Sequence, residues 1–317
     1  MNFWDQMVDE VEVKEVGTRD GFQMETEFIP TQQKIDLINK LSRTGLKAIQ
    51  VTSAVHPKAV PQLQDAEEVM ANIDRQPGVS YSVLVPNLRG AERAVEMKAD
   101  SWELMQSVTE SHSRSNANHS VDETLRGHEP VIKLAHQHGV EVRGGMAVSL
   151  GCPFEGQVPF ERVLYVAEAY YSMGVRNLCI ADTVGVASPR LVYETCSKLI
   201  ARFPDVHFDL HVHNTRDMAL ANILAALQAG IRSFDSAIGG LGGCLYAPDA
   251  TGNVSTEDLI HMLHLMGIKT GVDFDAIMAI TPEVERIVNH RLESAVYKAG
   301  PSSRLYPAPT KQIKKVQ

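Results

Sequence analysis

The chain has 317 residues, of which 44% are hydrophobic and 22% charged, an ordinary composition for a globular protein with a sizeable core. The net charge of −9 argues against nucleic acid or an anionic membrane as the main partner, but it leaves room for a small anionic substrate. The four cysteines form no CxxC pair, and neither an apolar run of 18 residues nor a secretory signal is present, so we expect a cytoplasmic protein.

Short β-like runs alternate with amphipathic helical patterns along the chain. The runs are rich in β-branched or aromatic side chains, as is typical of buried parallel strands. The predicted strands are Val11–Val16, Ala48–Ser53, Ser80–Val85, Trp102–Gln106, Val140–Val148, Asn177–Ala181, His207–His211 and Ser233–Ala237. The predicted helices are Thr31–Arg43, Pro61–Asn72, Leu88–Lys98, Val121–His138, Pro159–Met173, Pro189–Arg202, Met218–Ala229 and Thr256–Met266.

Eight strands that are each followed by a helix predict an α/β protein with a (β/α)8 fold, the TIM barrel. An open, doubly wound sheet is the competing architecture, but no GxGxxG follows the first strand. We assign residues 1–272 to a catalytic barrel domain and residues 273–317 to a C-terminal helical extension and tail.

The active site of a TIM barrel lies at the C-terminal ends of its strands. The first strand is followed by Arg19 and Asp20, which either form a surface salt bridge or bind an anionic oxygen and a metal side by side. The seventh strand ends in His211-Val212-His213, and residues two apart in a strand face the same side. HxH is a metal-ligand spacing, although many such pairs are ordinary buried or surface histidines.

A glycine-rich segment, GGLGGC, follows the eighth strand at residues 239–244, and Asn253 lies a few residues beyond it. Such a segment is either a flexible surface loop or a lid whose thiol, Cys244, donates a proton when the lid closes. Strands two and six end near Gln50 and Asp182. Asp182 either orients a histidine ligand or completes a turn.

The order of these motifs resembles that of 3-hydroxy-3-methylglutaryl-CoA lyases, which belong to a metal-dependent lyase and synthase superfamily. The matching segments are VGTRDGFQ, SVTESHSRSNANHSVDETL, LGCPFEG, ADTVGVASP, HVHNT, ALANILAALQAG and GGLGGCLYAPDATGNVSTEDL. The resemblance runs from about residue 11 to residue 272, and its glycine-rich segment with the following TGNVSTEDL is highly specific. It implies a TIM barrel that uses a divalent metal, Mg²⁺ or Mn²⁺, to cleave a carbon–carbon bond.

The resemblance also implies roles for individual residues. The metal ligands would be Asp20, His211, His213 and Asn253. Arg19 would stabilise an enolate and Cys244 would protonate it, while His211, Asp182 and Glu257 would assist catalysis. Independently of these implied roles, we expect substrate contacts from Gln23, Gln50, Thr183, Arg216, Gly242 and Gly243.

Three segments depart from the usual pattern of this family. FQME replaces LQNE at residues 22–25, Gln50 replaces a glutamate, and NTRDM replaces DTYGQ at residues 214–218. The rim of the barrel is therefore less acidic than usual, while the implied metal ligands are kept.

The resemblance implies a lyase that cleaves 3-hydroxy-3-methylglutaryl-CoA, or a closely related 3-hydroxyacyl-CoA, to acetyl-CoA and a keto acid. Two alternatives stay open, an aldolase or Claisen-type synthase acting on a 2-oxo acid and a non-catalytic barrel that binds a metabolite. We expect a homodimer, since barrel enzymes of this sort often dimerise.

Overall fold

The computed structural model describes residues 7–243 and 252–307, and its centre is a closed barrel of eight parallel strands. The strands pair in chain order, and the eighth pairs with the first. They are β1 Glu12–Glu15, β2 Ala48–Ser53, β3 Ser80–Leu84, β4 Ser101–Ser107, β5 Glu141–Ala147, β6 Asn177–Asp182, β7 His207–Val212 and β8 Ser233–Ser236. The predicted TIM barrel is confirmed, and the observed strand ends lie within one residue of the predicted ones.

Helices surround the barrel in the predicted alternation. They are α1 Thr31–Leu41, α2 Ala66–Asn72, α3 Leu88–Glu96, α4 Glu110–Ala117, α5 Val121–Gln137, α6 Phe160–Ser172, α7 Pro189–Arg202, α8 Ala219–Ala229, α9 Thr256–Leu265, α10 Phe274–Val288 and α11 Ala295–Ala299. The prediction of one helix over Pro61–Asn72 is wrong in its first turn, because a separate 3₁₀ turn occupies Pro61–Leu63. Helix α4 was not predicted, because its sequence ESHSRSNA lacks an apolar stripe.

Local sequence explains where several helices begin and end. Ser120 and Glu123 form a reciprocal capping box at the start of α5, in which each side chain accepts the backbone N–H of the other residue. At the end of α8, Gly230 adopts a φ of 104°, which a residue with a side chain rarely tolerates. No helix among the described residues is both long and apolar enough to cross a membrane.

The barrel interior contains a layer of charged side chains, Lys14, Glu103, Arg143, Asp209 and Asp235, which we call the ionic layer. All five are buried, and they come from β1, β4, β5, β7 and β8. Arg143 donates from Nη1 to Glu103 Oε2 at 2.7 Å, from Nη2 to Asp235 Oδ1 at 2.8 Å, and from Nε to Asp209. Lys14 Nζ lies 3.8 Å from Asp209. Every charge in the layer therefore faces an opposite charge.

The C-terminal helices pack on the barrel and reach its glycine-rich segment. Helix α10 contacts α1 and α9, and α11 contacts α9. The backbone N–H groups of Glu293 and Ser294 lie 2.9 and 3.3 Å from the carbonyl oxygen of Gly239. The helical extension is present, and the division of the chain at residue 272 stays a prediction.

Candidate active site and metal centre

A tight helical turn, Gly17–Gly21, follows β1 and carries Arg19 and Asp20 at the C-terminal end of the barrel. The buried carboxylate of Glu15 holds this turn by accepting the Gly17 N–H at 2.7 Å. The same carboxylate accepts the Ile238 N–H at 2.9 Å and the Thr256 hydroxyl at 2.7 Å. Glu15 therefore ties the turn after β1 to the segments that follow β8.

Asp20, His211 and His213 converge at this end of the barrel, and we call them the rim cluster. Each offers one ligand atom, and these atoms lie within 4.8 Å of one another. The two imidazole centroids are 5.1 Å apart, as expected for residues two apart where β7 ends. Three of the four residues predicted to bind a metal are thus brought together.

Asn253, the fourth predicted ligand, lies beside Asp20. Its Nδ2 donates to Asp20 Oδ2 at 2.9 Å and to the carbonyl oxygen of Leu241 at 3.0 Å. Among the described residues, its buried Oδ1 has no hydrogen-bond partner, and neither has the buried Nδ1 of His213. One carboxylate, two imidazoles and an amide oxygen are donors that divalent cations accept, so these residues fit a metal ion.

The electrostatics of the rim cluster keep its ligands in the forms that bind a cation. Burial alone would raise the pKa of Asp20, but Arg19 and the two imidazoles outweigh it and hold the pKa well below its usual range. Burial, reinforced by His211, lowers the pKa of His213 to about 4. Near neutral pH the cluster therefore presents a carboxylate and a neutral His213.

Arg19 is fixed in place by three neighbours. Its Nε donates to Gln50, and its Nη1 lies 2.7 Å from Asp20 Oδ1 and 3.4 Å from Gln23 Oε1. Gln23 also donates to Asp20 Oδ1 at 3.2 Å. The predicted substrate contacts Gln23 and Gln50 therefore lie beside Arg19, where they restrict its movement.

Thr183 and Arg216, two further predicted substrate contacts, bond to neighbouring loops. Thr183 Oγ1 accepts the Val148 N–H at 3.0 Å. Arg216 Nη1 donates to the carbonyl oxygens of Val184 and Gly185 at 3.2 and 3.0 Å. These bonds connect the loops that follow β5, β6 and β7.

Of the two roles that the sequence leaves open for Asp182, its contacts show the turn. The two oxygens of this buried side chain accept the N–H groups of Val186 and Ala187, each at 3.0 Å, so Asp182 completes the turn after β6. His211 Nδ1 instead lies 3.1 Å from Asp235 Oδ2. Whether Asp182 also assists catalysis stays a prediction.

Glu257 lies beneath the glycine-rich segment. Its two oxygens accept the Gly239 N–H at 3.0 and 2.9 Å, and Oε1 also accepts the Thr281 hydroxyl at 2.6 Å. Burial raises the pKa of Glu257 to about 7. Because its contacts support the segment from below, its predicted part in catalysis would be indirect.

Gly242 and Gly243 complete the described part of that segment. Gly242 has a φ of 117°, and a Cβ there would lie 2.7 Å from Asn253 Nδ2. A Cβ on Gly243 would lie 3.2 Å from Met24 Cε. Cys244, the predicted proton donor, lies outside the described residues.

Sequence reasoning missed Arg143 and Asp235, which connect the rim cluster to the ionic layer. Asp235 accepts from Arg143 with one oxygen and faces His211 with the other. The available signal was a charged residue inside a strand, as in β5 and β8, where buried positions are usually apolar. A charged residue at such a position needs a charged partner inside the barrel.

A cavity of about 440 Å³ lies at the opposite end of the barrel. Among its lining residues are the first residues of all eight strands, including Ser80, Ser101 and Ser233. Because TIM-barrel chemistry takes place at the C-terminal ends of the strands, we assign the active site to the rim cluster.

The closed barrel and its carboxylate–imidazole cluster beside a fixed arginine define a class, the TIM-barrel enzymes that use a divalent metal. Residues 10–284 match the HMGL-like family model, and the chain belongs to that family. This membership confirms the resemblance seen in the sequence. The protein is a carbon–carbon lyase of a family that depends on divalent metals.

Individual relatives are similar over nearly their whole length. The chain is 44% identical over 284 residues to a hydroxymethylglutaryl-CoA lyase of Bacillus subtilis. This match covers 90% of this chain and 95% of the Bacillus protein. It is also 44% identical over 295 residues to the cytoplasmic 3-hydroxy-3-methylglutaryl-CoA lyase of Rattus norvegicus, and this match covers 93% of this chain and 86% of the rat protein. The structure of an HMG-CoA lyase from Acinetobacter baumannii, in complex with coenzyme A and 3-methylmalate, matches with a TM-score of 0.91 and 40% identity over 95% of this chain and 98% of that one.

Proposed function

We propose that this protein cleaves 3-hydroxy-3-methylglutaryl-CoA, or a closely related 3-hydroxyacyl-CoA, to acetyl-CoA and a keto acid. Mg²⁺ or Mn²⁺ would be held by Asp20, His211, His213 and Asn253. The observation that carries the proposal is the placement of the fixed guanidinium of Arg19 beside the rim cluster. The activities and the bound coenzyme A named for the relatives support it, and they favour a lyase over a 2-oxo acid aldolase.

The reaction requires one proton to leave and another to be added. The C3 hydroxyl of the substrate loses its proton, the C2–C3 bond breaks, and the C3 fragment becomes the ketone of acetoacetate. The electron pair of the broken bond passes to the thioester fragment as an enolate, which takes up a proton and becomes acetyl-CoA. A bound divalent cation would lower the pKa of the hydroxyl that coordinates it.

Arg19 supplies a fixed positive charge where negative charge develops on the thioester oxygen. Its Nε and Nη1 are held by Gln50 and Asp20, so the guanidinium does not have to reorganise during the reaction. Preorganised donors of this kind contribute on the order of 10²–10³ in rate. Arg19 therefore acts on the enolate, and Gln23 and Gln50 act by holding Arg19.

The sequence predicts both a catalytic and a metal-binding role for His211, and its geometry restricts it to one role at a time. With Nδ1 paired to Asp235, only Nε2 remains to bind a cation or to accept a proton. We assign it to the metal, because it converges with Asp20 and His213. Cys244 stays the proposed proton donor to the enolate, and the homodimer stays a prediction.

The substrate is tested by incubating metal-loaded protein with 3-hydroxy-3-methylglutaryl-CoA and separating the products by liquid chromatography. We expect equimolar acetyl-CoA and acetoacetate from the wild type and from Arg176→Met, which changes an arginine of a surface ion pair with Asp205. Arg19→Met should release little of either product. Wild-type protein that leaves this thioester and its 3-hydroxyacyl relatives intact would contradict the proposal.

A further inference from the structure

Asp235 connects the rim cluster to the ionic layer beneath it. Its Oδ2 lies 3.1 Å from His211 Nδ1, and its Oδ1 accepts from Arg143 Nη2 at 2.8 Å. The Asp235 side chain is 3% exposed and that of His211 is 12% exposed. Each carboxylate oxygen thus has its own partner, and the side chain cannot rotate without losing both.

We propose that Asp235, anchored by Arg143, is a positioning residue that fixes the ring orientation and the tautomer of His211 for metal binding. The inference rests on the proposed function only in taking the rim cluster to be a metal site. When Nδ1–H donates to Asp235, the lone pair of the neutral imidazole stays on Nε2, where a cation can accept it. Mutating a carboxylate that orients a histidine ligand in this way typically lowers metal affinity 10- to 100-fold.

Arg143 determines which oxygen of Asp235 faces His211. The planar guanidinium donates to three buried carboxylates, those of Glu103, Asp209 and Asp235. Because Arg143 occupies Oδ1 of Asp235, Oδ2 is the oxygen left for His211. The ionic layer therefore acts on the metal ligand through a single carboxylate.

A purely structural role for Asp235, as one of three counter-ions of Arg143, makes a different prediction. Glu103 is an equally buried counter-ion of the same guanidinium, and its other oxygen accepts from Ser82 at 2.7 Å. Glu103→Gln is consequently a matched control, because it perturbs the ionic layer to a similar degree without a direct contact to His211.

The decisive variant is Asp235→Asn. Its single oxygen must face Arg143, a donor that cannot act as an acceptor, so its amide nitrogen would face His211. Nδ1 would then have to accept, the proton would move to Nε2, and the metal-binding lone pair would be lost. We expect Mn²⁺ affinity, measured by electron paramagnetic resonance on metal-free protein, to fall 10- to 100-fold in Asp235→Asn. It should stay within threefold of the wild type in Glu103→Gln.

Two results would overturn the proposal, namely a folded Asp235→Asn that binds Mn²⁺ as the wild type does, or an equal loss in Glu103→Gln. If Asp235→Asn does not fold, ¹H–¹⁵N correlation spectra of the metal-free wild type show which ring nitrogen of His211 carries the proton. The His211 signal is assigned by its absence from the spectrum of His211→Gln. A proton on Nδ1 of neutral His211 supports the proposal, and a proton on Nε2 contradicts it. Neither measurement uses substrate, so failure of the proposed lyase activity would be seen separately.

Discussion

The barrel interior contains two groups of charged and polar side chains that differ in how completely they are paired. In the ionic layer, Arg143 alone bonds to three carboxylates, and all five side chains of the layer are buried. At the rim, His213 Nδ1 and Asn253 Oδ1 are buried without a hydrogen-bond partner among the described residues. Since a buried polar atom without a partner is costly, a ligand is the expected partner at the rim, whereas the ionic layer needs none.

The largest expected effect comes from breaking the ionic layer. Arg143→Met leaves three buried carboxylates without their shared cation, and we expect the free energy of unfolding to fall by about 3–5 kcal/mol. Urea denaturation measures this change. Arg43→Met is the control, since its ion pair with Asp74 is more than half exposed and should contribute at most about 1 kcal/mol. Equal losses of unfolding free energy in the two variants would show that the buried ionic layer stabilises the fold no more than an exposed ion pair does.

The next effect concerns the catalytic rate at the rim. Arg19→Met removes the fixed positive charge beside Asp20, so we expect kcat to fall on the order of 10²–10³. Steady-state kinetics with saturating metal measure the loss, and thermal unfolding checks that the variant is folded. A kcat within tenfold of the wild type would rule out Arg19 as the group that stabilises the enolate.

A smaller expected effect is a pH dependence of the free energy of unfolding that comes from Glu257, a buried carboxylate that accepts from N–H and O–H donors. The pKa of Glu257 is raised by burial to about 7, above its unfolded value near 4.5. The folded state therefore binds the proton more tightly, and the stability this contributes is complete below about pH 4.5 and is lost as the pH rises through 7. The expected slope is roughly 1.4 kcal/mol per pH unit for such a group.

Denaturation of wild type and Glu257→Gln at pH 5.5 and 7.5 tests this expectation. The wild type should lose stability between the two pH values, and the glutamine variant should lose less. A second buried carboxylate, Glu15, whose pKa burial also raises to about 7, should keep part of the slope in that variant. The exposed variant Glu129→Gln should retain the full wild-type slope. An unchanged slope in Glu257→Gln would show that this carboxylate does not bind a proton in that range.

The sequence predicted the elements that repeat and the ligands that share a strand. The alternation of buried runs and amphipathic helices was enough to predict all eight strands, and HxH in β7 predicted that His211 and His213 face one side. The partners of those ligands were harder to predict. Asp182 is the last residue of β6 and Asp235 lies inside β8, and only the three-dimensional structure shows that Asp235 faces His211 while Asp182 completes a turn. Helix α4 was missed because its polar sequence carries no periodic apolar signal.

The central claim is that the rim cluster binds one divalent ion on which the lyase activity depends. The most direct test titrates Mn²⁺ into metal-free protein while bound Mn²⁺ and acetyl-CoA release from 3-hydroxy-3-methylglutaryl-CoA are measured in the same samples. We expect bound Mn²⁺ and acetyl-CoA release to rise together and to saturate at one ion per chain, and we expect Asp20→Asn to shift both curves to higher Mn²⁺ concentration. Full activity of the metal-free protein, or unchanged curves in Asp20→Asn, would contradict it.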